Sequence, residues 1–174
     1  MSARHAAITI LGPAILLAGG RCEQRPHSPS GSPEANKTLV RRWIEVGFNQ
    51  RNPLVVDELF AEHVAVNGQV IGREGLKRSM SRHLRAFPDL RVTIDDILSD
   101  GRKVGIWYTV EGTHRGEFEG IAPTGKQVKW VGFDLFTIED GKIAEARFLS
   151  DFYGLLSQLG ATISQPQTSK PIPP

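Results

Sequence analysis

The 174-residue chain contains one cysteine, and its apolar runs are all too short to cross a membrane. The single cysteine, Cys22, excludes an intrachain disulfide. The longest apolar stretch falls short of the roughly 18 residues that a spanning helix needs. A basic stripe is also missing, because 21 Lys and Arg are scattered among 19 Asp and Glu. These absences argue against a membrane-spanning helix and against a nucleic-acid partner.

Metal ligands are sparse as well. The five histidines are scattered and form no close pair of the kind that holds zinc. We therefore expect no metal site.

One glycine-rich stretch, GIAPTGK (Gly120 to Lys126), matches the start of a phosphate-binding loop. A working loop continues with Ser or Thr and opens a helix, whereas Gln127 follows here and precedes a β-like segment. A nucleotide site is therefore not expected.

The first 22 residues have the layout of a secretory signal. A short basic start at Arg4 and His5 precedes an apolar stretch from Ala6 to Ala18 and then small residues. We expect export to the periplasm or the cell exterior, with a miscalled start and a cytoplasmic protein as the alternative. LLAGGRC is similar to a lipoprotein signal, in which the Cys is lipidated. Arg21 stands where Gly or Ala normally precedes that Cys, which argues against lipidation of Cys22 and a lipid anchor.

Composition divides the rest of the chain into a linker, one domain and a tail. Residues 23–33 are rich in Pro and Ser and lack apolar periodicity, which predicts a disordered linker. With 40% hydrophobic residues, the chain can form one globular domain, which we place at residues 34–160. Residues 161–174 are expected to form a disordered tail.

Periodicity predicts helices first and strands afterwards. Asp140-Gly141 is a strong hairpin signal, and Asp151 is a suitable N-cap for a last short helix. Helices followed by an antiparallel meander indicate an α+β fold in which a bent sheet wraps the helices around a cavity. The predicted helices are Glu34–Gln50, Pro53–Phe60, Gly72–Phe87 and 152–159, and the predicted strands are His63–Asn67, 89–100, 102–114, 126–138 and 143–150.

Four motifs in register carry a family resemblance. AFPDL (Ala86 to Leu90), GTHRGEF with IAPTGK, FDLFTIEDGKI and DFYGLLSQLG together resemble the SnoaL-like polyketide cyclase and ester cyclase family of the nuclear transport factor 2-like superfamily. The resemblance implies an NTF2-like cone, with N-terminal helices packed in a strongly bent antiparallel sheet that encloses a pocket. It also implies cofactor-free acid/base chemistry on a small hydrophobic carbonyl compound, and a homodimer paired through the outer sheet face.

Two polar positions of that family are apolar in this chain. The acid/base Asp of the cyclase branch lies three residues before the Asp that opens the last helix, where this sequence has Phe148. Ester cyclase relatives carry a His two residues earlier, and that position is Ala146. The resemblance therefore predicts a pocket that is more apolar than that of catalytic relatives.

Asp134 is the strongest candidate for catalysis. In a strand, alternate residues share one face, and Asp134 is the only ionisable residue in the row Val128, Trp130, Gly132, Asp134, Phe136 and Ile138. The resemblance places it where the polyketide cyclase branch has a pocket histidine. For Asp134, the alternative to catalysis is a structural contact with a backbone amide or with Arg147.

His114 is the second catalytic candidate, because it reaches the same face if even-numbered residues pair across the hairpin. Its alternative role is a hydrogen bond within the hairpin.

Seven further residues are candidates for ligand binding. Four are aromatic residues of the expected pocket face, and three are polar residues near helix ends and the first strand that could rim its mouth or simply cap and turn the chain. They are Tyr108, Trp130, Phe136, Phe148, Asn49, Asn67 and His63.

Three function classes remain open. The first is an enzyme that moves protons on an apolar carbonyl compound, with Asp134 as base and His114 or Tyr108 as donor. The second is a protein that binds a hydrophobic metabolite without turnover, which Ala146 and Phe148 favour. The third is a structural dimerisation domain.

Overall fold

The computed structural model describes residues 31–161, which form four α-helices, one π-helical segment and six strands. The helices are α1 (Pro33–Arg42), the π-helical segment (Trp43–Asn49), α2 (Val55–Leu59), α3 (Gly72–Ala86) and α4 (Phe152–Leu159). The strands are β1 (Phe60–Val66), β2 (Gln69–Val70), β3 (Arg91–Asp100), β4 (Lys103–Thr113), β5 (Gln127–Glu139) and β6 (Lys142–Ser150). The predicted signal peptide with Cys22, most of the predicted linker and nearly all of the predicted tail lie outside these residues.

All six strands belong to one curled sheet with the order β2-β1-β6-β5-β4-β3. The meander from β3 to β6 is antiparallel, as predicted. β1 runs parallel to β6, however, so the sheet is mixed rather than wholly antiparallel. The parallel pairing arises because α2 leads directly into β1 and places this strand beside β6, the last strand. Such a pairing is a long-range contact, which local sequence patterns cannot predict. The α+β cone itself is confirmed.

Irregular pairing gives the sheet its curvature. The register shifts between Ile94 and Asp96 where β3 pairs with β4, and again between Thr137 and Ile138 where β5 pairs with β6. An extra residue on one strand bends it and increases its twist. The concave face then closes around α1, the π-helical segment and α3, whose apolar side chains form the core.

The predicted first helix is really two segments. α1 ends at Arg42, and a wider π-helical turn follows, marked by a 2.9 Å hydrogen bond from the Gln50 amide to the Glu45 carbonyl. Trp43 packs edge-on against both Phe48 and Phe60, with centroids 5.1 and 4.9 Å apart. The wider turn therefore gathers apolar side chains toward the cone interior, an arrangement that a 3.6-residue period does not predict.

The glycine-rich stretch lies in the β4–β5 connection. Two hydrogen bonds of 2.9 Å join the two ends of this connection. One runs from the His114 amide to the Lys126 carbonyl, and the other from the Gly125 amide to the His114 carbonyl. Gly125 has φ of 70°, a left-handed conformation that glycine adopts without strain. The segment leads into β5 rather than into a helix, so the phosphate-loop reading is excluded.

Two local predictions are confirmed at the end of the domain. Asp140 and Gly141, with φ of 50° and 71°, form the tight turn between β5 and β6. Asp151 caps α4 by accepting a 2.8 Å hydrogen bond from the Gly154 amide. Within residues 31–161, none of the helices has the length and apolarity to cross a bilayer.

Candidate active site

The cone encloses a cavity of about 430 Å³ between the sheet and the helices. Most of its wall is apolar, and exposed Arg82, Glu119 and Phe152 mark where it meets solvent. The apolar side chains of the lining are Trp43, Ile44, Phe48, Val66, Leu76, Met80, Leu90, Val92, Val110, Trp130, Phe148, Phe152 and Leu155. Leu149 borders the cavity where its backbone meets Asp134, while its side chain is on the outer face of the sheet. The polar lining comprises Asn67, Ser79, Arg82, His83, Tyr108, Glu119, Asp134 and Ser150.

Asp134 faces this cavity from the middle of β5. The predicted alternation holds, since Val128, Trp130, Asp134, Phe136 and Ile138 are all buried. Even-numbered residues do pair across the β4–β5 ladder, with Ile106 opposite Asp134 and Tyr108 opposite Gly132. Asp134 is only 6% exposed, so its carboxyl group is almost removed from water.

Tyr108 and Ser150 connect to Asp134 in a short hydrogen-bonded chain. The Tyr108 hydroxyl donates to Asp134 Oδ1 at 3.1 Å and lies 3.0 Å from Ser150 Oγ. Since the phenolic proton points to the carboxylate, Ser150 donates to the Tyr108 oxygen in this state. Three side chains from β4, β5 and β6 thus form one polar line on an apolar wall.

Burial raises the pKa of Asp134 from its ordinary 3.8 to about 7, while the hydrogen bonds from Tyr108 and the Leu149 backbone lower it in part. Burial likewise raises the pKa of Tyr108 well above its ordinary value, and the charge of Asp134 adds to this effect. Near neutral pH the carboxyl group can therefore give or take a proton, while the tyrosine stays protonated as a donor.

Gly132 makes this arrangement sterically feasible. A Cβ atom at this position would lie 2.9 Å from Tyr108 Cε2 and closer still to its hydroxyl oxygen. The tyrosine ring therefore lies directly on the β5 backbone, and its hydroxyl can reach both Asp134 and Ser150. The sequence showed a small residue here, but its role became clear only from the pairing of Tyr108 with Gly132.

His83 is a cavity residue that the sequence analysis missed. It lies on α3, and its Nδ1 is 3.0 Å from the Ser79 carbonyl oxygen. Leu76 and Met80 are buried on α3, and His83 follows Met80 by three residues. Those are the neighbours on one helix face, and that spacing was the available signal.

His114, the second predicted catalytic residue, does not line the cavity. It is completely buried in the β4–β5 connection, where its Nδ1 accepts a 3.2 Å hydrogen bond from the Thr124 amide and lies 3.1 Å from Thr124 Oγ1. Its ring packs against Phe87 at a centroid distance of 5.4 Å. These contacts match the alternative of a hydrogen bond within the hairpin.

The predicted ligand-binding residues divide into two groups. Tyr108, Trp130, Phe148 and Asn67 line the cavity, whereas Phe136, Asn49 and His63 do not. Asn49 instead exchanges hydrogen bonds of 2.8 and 3.0 Å with the backbone of Val92, so it joins the π-helical segment to β3. Phe136 is fully buried in the core, and His63 is exposed on β1.

Of the two positions where the resemblance implies polar groups, Phe148 lines the cavity beside Asp134 and Ala146 does not. Phe148 is the direct partner of Asp134 across the β5–β6 ladder, and Ala146 is the partner of Phe136. Asn67 fixes Phe148 by accepting a 2.8 Å hydrogen bond from its amide. The carboxyl group of this cavity therefore lies one strand away from the position that the resemblance indicates.

Within residues 31–161, no cluster of three His, Cys, Asp or Glu could hold a metal ion.

Replacing Gly132 with Ala should raise the pKa of Asp134 further. The added methyl group displaces the Tyr108 hydroxyl and removes a hydrogen bond that lowers this pKa. The carboxyl signal of Asp134, followed by carbon NMR of aspartate-labelled protein across pH 5–9, measures the effect. Tyr108→Phe should act in the same direction, and adding Gly132→Ala to it should have little further effect. Gly105→Ala, on the outer face, serves as control. An unchanged pKa in folded Gly132→Ala protein would contradict this role.

The buried carboxyl group should also make stability depend on pH. The folded-state pKa lies above the unfolded one, so the contribution of Asp134 to stability is complete below pH 4 and is lost as pH rises toward 7. The difference between 3.8 and about 7 corresponds to roughly 4 kcal/mol. Urea unfolding should therefore show that Asp134→Asn gains stability relative to the wild type between pH 4 and pH 8. An exposed control, Asp100→Asn, should show no such trend; a parallel pH dependence for wild type and Asp134→Asn would refute the prediction.

Comparison with known proteins agrees with this architecture. The chain is 26% identical over 143 residues to aklanonic acid methyl ester cyclase DauD of Streptomyces sp. (strain C5), covering 78% of this chain and 88% of that one. TsrD from Streptomyces laurentii superposes with a TM-score of 0.71 at 26% identity, covering 76% and 100% of the two chains. AclR, a candidate hydroxylase from Streptomyces galilaeus, gives a TM-score of 0.69 at 25% identity, covering 78% and 91%.

DauD is named as a cyclase and AclR as a candidate hydroxylase, so the fold alone does not determine the chemistry. The family model for SnoaL-like polyketide cyclases matches residues 37–159, which include every strand and helix of the cone except the first turn of α1. The chain belongs to the SnoaL-like polyketide cyclase family.

Proposed function

We propose that the protein catalyses proton transfer at carbon next to a carbonyl group of a small apolar metabolite, in a cyclase or isomerase type of reaction without a cofactor. The observation that carries this proposal is the carboxyl group of Asp134, which has a pKa of about 7 in an apolar cavity and accepts a hydrogen bond from the protonated Tyr108. Such a pKa is well suited to a group that must both take and return a proton near neutral pH.

Asp134 acts as the base in this proposal. Its ionised carboxylate removes the proton from carbon, and the electron pair moves onto the carbonyl oxygen to give an enolate. Once protonated, Asp134 is neutral and accepts the hydrogen bond from Tyr108 less strongly than the carboxylate did. The tyrosine hydroxyl can then donate to the enolate oxygen. A donor aimed at developing negative charge in an apolar site is a strong source of stabilisation. Return of the proton from Asp134 to a different carbon of the conjugated enolate completes an isomerisation. In a cyclisation the enolate carbon attacks a second carbonyl, and the alkoxide that forms takes the proton from Asp134, which restores the carboxylate.

Exchange of a carbon-bound proton tests this step without knowledge of the natural substrate. The flat ketone 2-tetralone has acidic protons next to its carbonyl, and their replacement by deuterium can be followed by NMR. Exchange should be faster with the protein than in buffer and should increase as pH rises through about 7, because the ionised form of Asp134 is the base. Asp134→Asn should lower the protein-dependent rate by roughly a hundredfold or more.

Two variants sharpen that measurement. Asp100→Asn removes an exposed carboxylate and should exchange at the wild-type rate. Tyr108→Phe should slow exchange and shift its pH dependence to higher pH, since it keeps the base but removes both the donor and a hydrogen bond that lowers the pKa of Asp134. Full exchange by a folded Asp134→Asn variant would show that Asp134 is not the base.

A binding protein without turnover is the alternative, and one observation favours it. The positions where the catalytic branch carries polar groups are Ala146 and Phe148, and Phe148 adds apolar surface to the cavity directly beside Asp134. Binding of 2-tetralone without faster exchange in the wild type would favour this alternative over the enzyme.

We also propose that the protein forms a homodimer through the outer face of its sheet. Trp107, Phe133 and Leu149 are direct partners on β4, β5 and β6 and are 48%, 38% and 71% exposed. A contiguous exposed apolar row of this kind marks an interaction surface. Such a row can pack against the same row of a second copy, since symmetric dimers use one patch on both subunits.

A charge in this row should separate the dimer. Sedimentation velocity should give a dimer for the wild type and a monomer for Phe133→Glu, because the variant would bury two unpaired carboxylates at the interface. Val70→Glu, at an exposed apolar residue on the far edge strand, should remain dimeric. A monomeric wild type would rule out the dimer.

A further inference from the structure

The imidazole of His83 is a second polar group of the cavity, and the proposed proton transfer does not use it. It lines the cavity from α3, whereas Asp134, Tyr108 and Ser150 line it from the sheet. One side of its ring packs against Phe118 with a centroid distance of 5.4 Å. The ring therefore stands in largely apolar surroundings on the helical wall.

The hydrogen bond to Ser79 determines which nitrogen carries the proton. Nδ1 of His83 lies 3.0 Å from the Ser79 carbonyl oxygen, one turn earlier on α3. A carbonyl oxygen can only accept, so Nδ1 must donate. Burial lowers the pKa of His83 below its ordinary 6.5, and the nearby Arg82 acts in the same direction, while Glu119 and the Ser79 bond partly oppose them. Near pH 7 the ring is therefore neutral, and Nε2 holds a lone pair.

Nε2 of His83 is open to a ligand. It makes no hydrogen bond within residues 31–161, and yet it is not among the fully enclosed side-chain atoms that lack a partner, unlike Nε2 of His114. Because the side chain borders the cavity, its free nitrogen is accessible from there. An acceptor on an otherwise apolar wall gains most from a ligand that brings a donor, since a polar group without a partner is costly to bury.

We infer that Nε2 of His83 accepts a hydrogen bond from a hydroxyl group of the ligand. The ligand class is then a flat, neutral carbonyl compound that also carries a phenolic or enolic hydroxyl. A neutral donor fits better than an ammonium group, because the two charges that act on the ring, Arg82 and Glu119, are opposite in sign and oppose each other. This inference rests on the proposed function only in so far as the same cavity binds the apolar ligand.

The pair 2-naphthol and 2-methoxynaphthalene isolates the hydroxyl group. The two compounds share one flat ring system, and only the first can donate. Titration of each at pH 7, followed by ligand or Trp fluorescence, should show about tenfold tighter binding of 2-naphthol. His83→Leu should abolish that preference while binding 2-methoxynaphthalene as the wild type does. His83→Gln, whose amide oxygen can accept, should keep part of the preference.

Two controls separate His83 from the other polar groups. Arg78→Leu replaces an exposed residue of the same helix and should keep the full preference. Asp134→Asn should also keep it, because the inferred acceptor is on α3. If the preference survives in His83→Leu and is lost in Asp134→Asn, the carboxyl group receives the hydroxyl and the inference is wrong.

The inference and the proposed function can fail separately. A His83-dependent preference without any exchange of 2-tetralone protons would support the acceptor role and reject the enzyme. Exchange that depends on Asp134, with equal affinity for the two naphthalene compounds, would support the enzyme and overturn the role of His83. Failure of the wild type to bind either naphthalene compound would overturn it as well.

Discussion

The hydrogen bond between the Tyr108 hydroxyl and the buried carboxyl group of Asp134 is the interaction on which the arrangement of the cavity depends. A carboxyl group that is nearly removed from water is costly unless a donor reaches it or it holds its proton. Here both conditions are met in part, because Tyr108 donates at 3.1 Å and burial raises the pKa to about 7. The bond in turn requires the register that pairs Tyr108 with Gly132, since any side chain at that position would occupy the space of the tyrosine ring. The pKa of Asp134 thus depends on the hydrogen bond from Tyr108, and that bond depends in turn on the strand register and on the lack of a side chain at Gly132.

Curvature of the sheet converts that constraint into a site. Alternate residues of β4 and β5 point inward, so a bent sheet concentrates their side chains on the concave wall. The inward row is apolar except where Tyr108, Asp134 and Ser150 meet. The helices supply the opposing wall, and the π-helical turn brings Trp43, Ile44 and Phe48 to it. In catalytic relatives the resemblance places the carboxylate on the last strand. In this chain Phe148 fills that position, and the carboxyl group on the neighbouring strand still reaches the same space.

Much of the fold could be predicted because local chemistry determines it. Strand alternation placed Asp134 on the inner face, the Asp140-Gly141 pair formed the expected turn, and Asp151 capped the last helix. The parallel pairing of β1 with β6 was missed, since it depends on where α2 delivers the chain. The site was harder to predict. Tyr108 and Asp134 are 26 residues apart, and their hydrogen bond exists only through the β4–β5 register. His114 has the correct strand parity but lies past the end of β4, where the connecting segment turns its side chain away from the cavity.

Burial shifts the pKa values of Asp134 and His83 in opposite directions, and this determines the electrostatic character of the cavity. It raises the pKa of Asp134 and lowers that of His83, because in both cases it disfavours the charged form. Near pH 7 His83 is therefore neutral and Asp134 is about half ionised, while the oppositely charged Arg82 and Glu119 lie on the exposed side of the cavity. A neutral, flat ligand enters such a cavity without displacing a counter-ion. If that ligand loses a proton to Asp134, the negative charge on the carboxylate passes to the ligand and none is created. The Tyr108 hydroxyl, already directed at that charge before the reaction, is the group best placed to follow it.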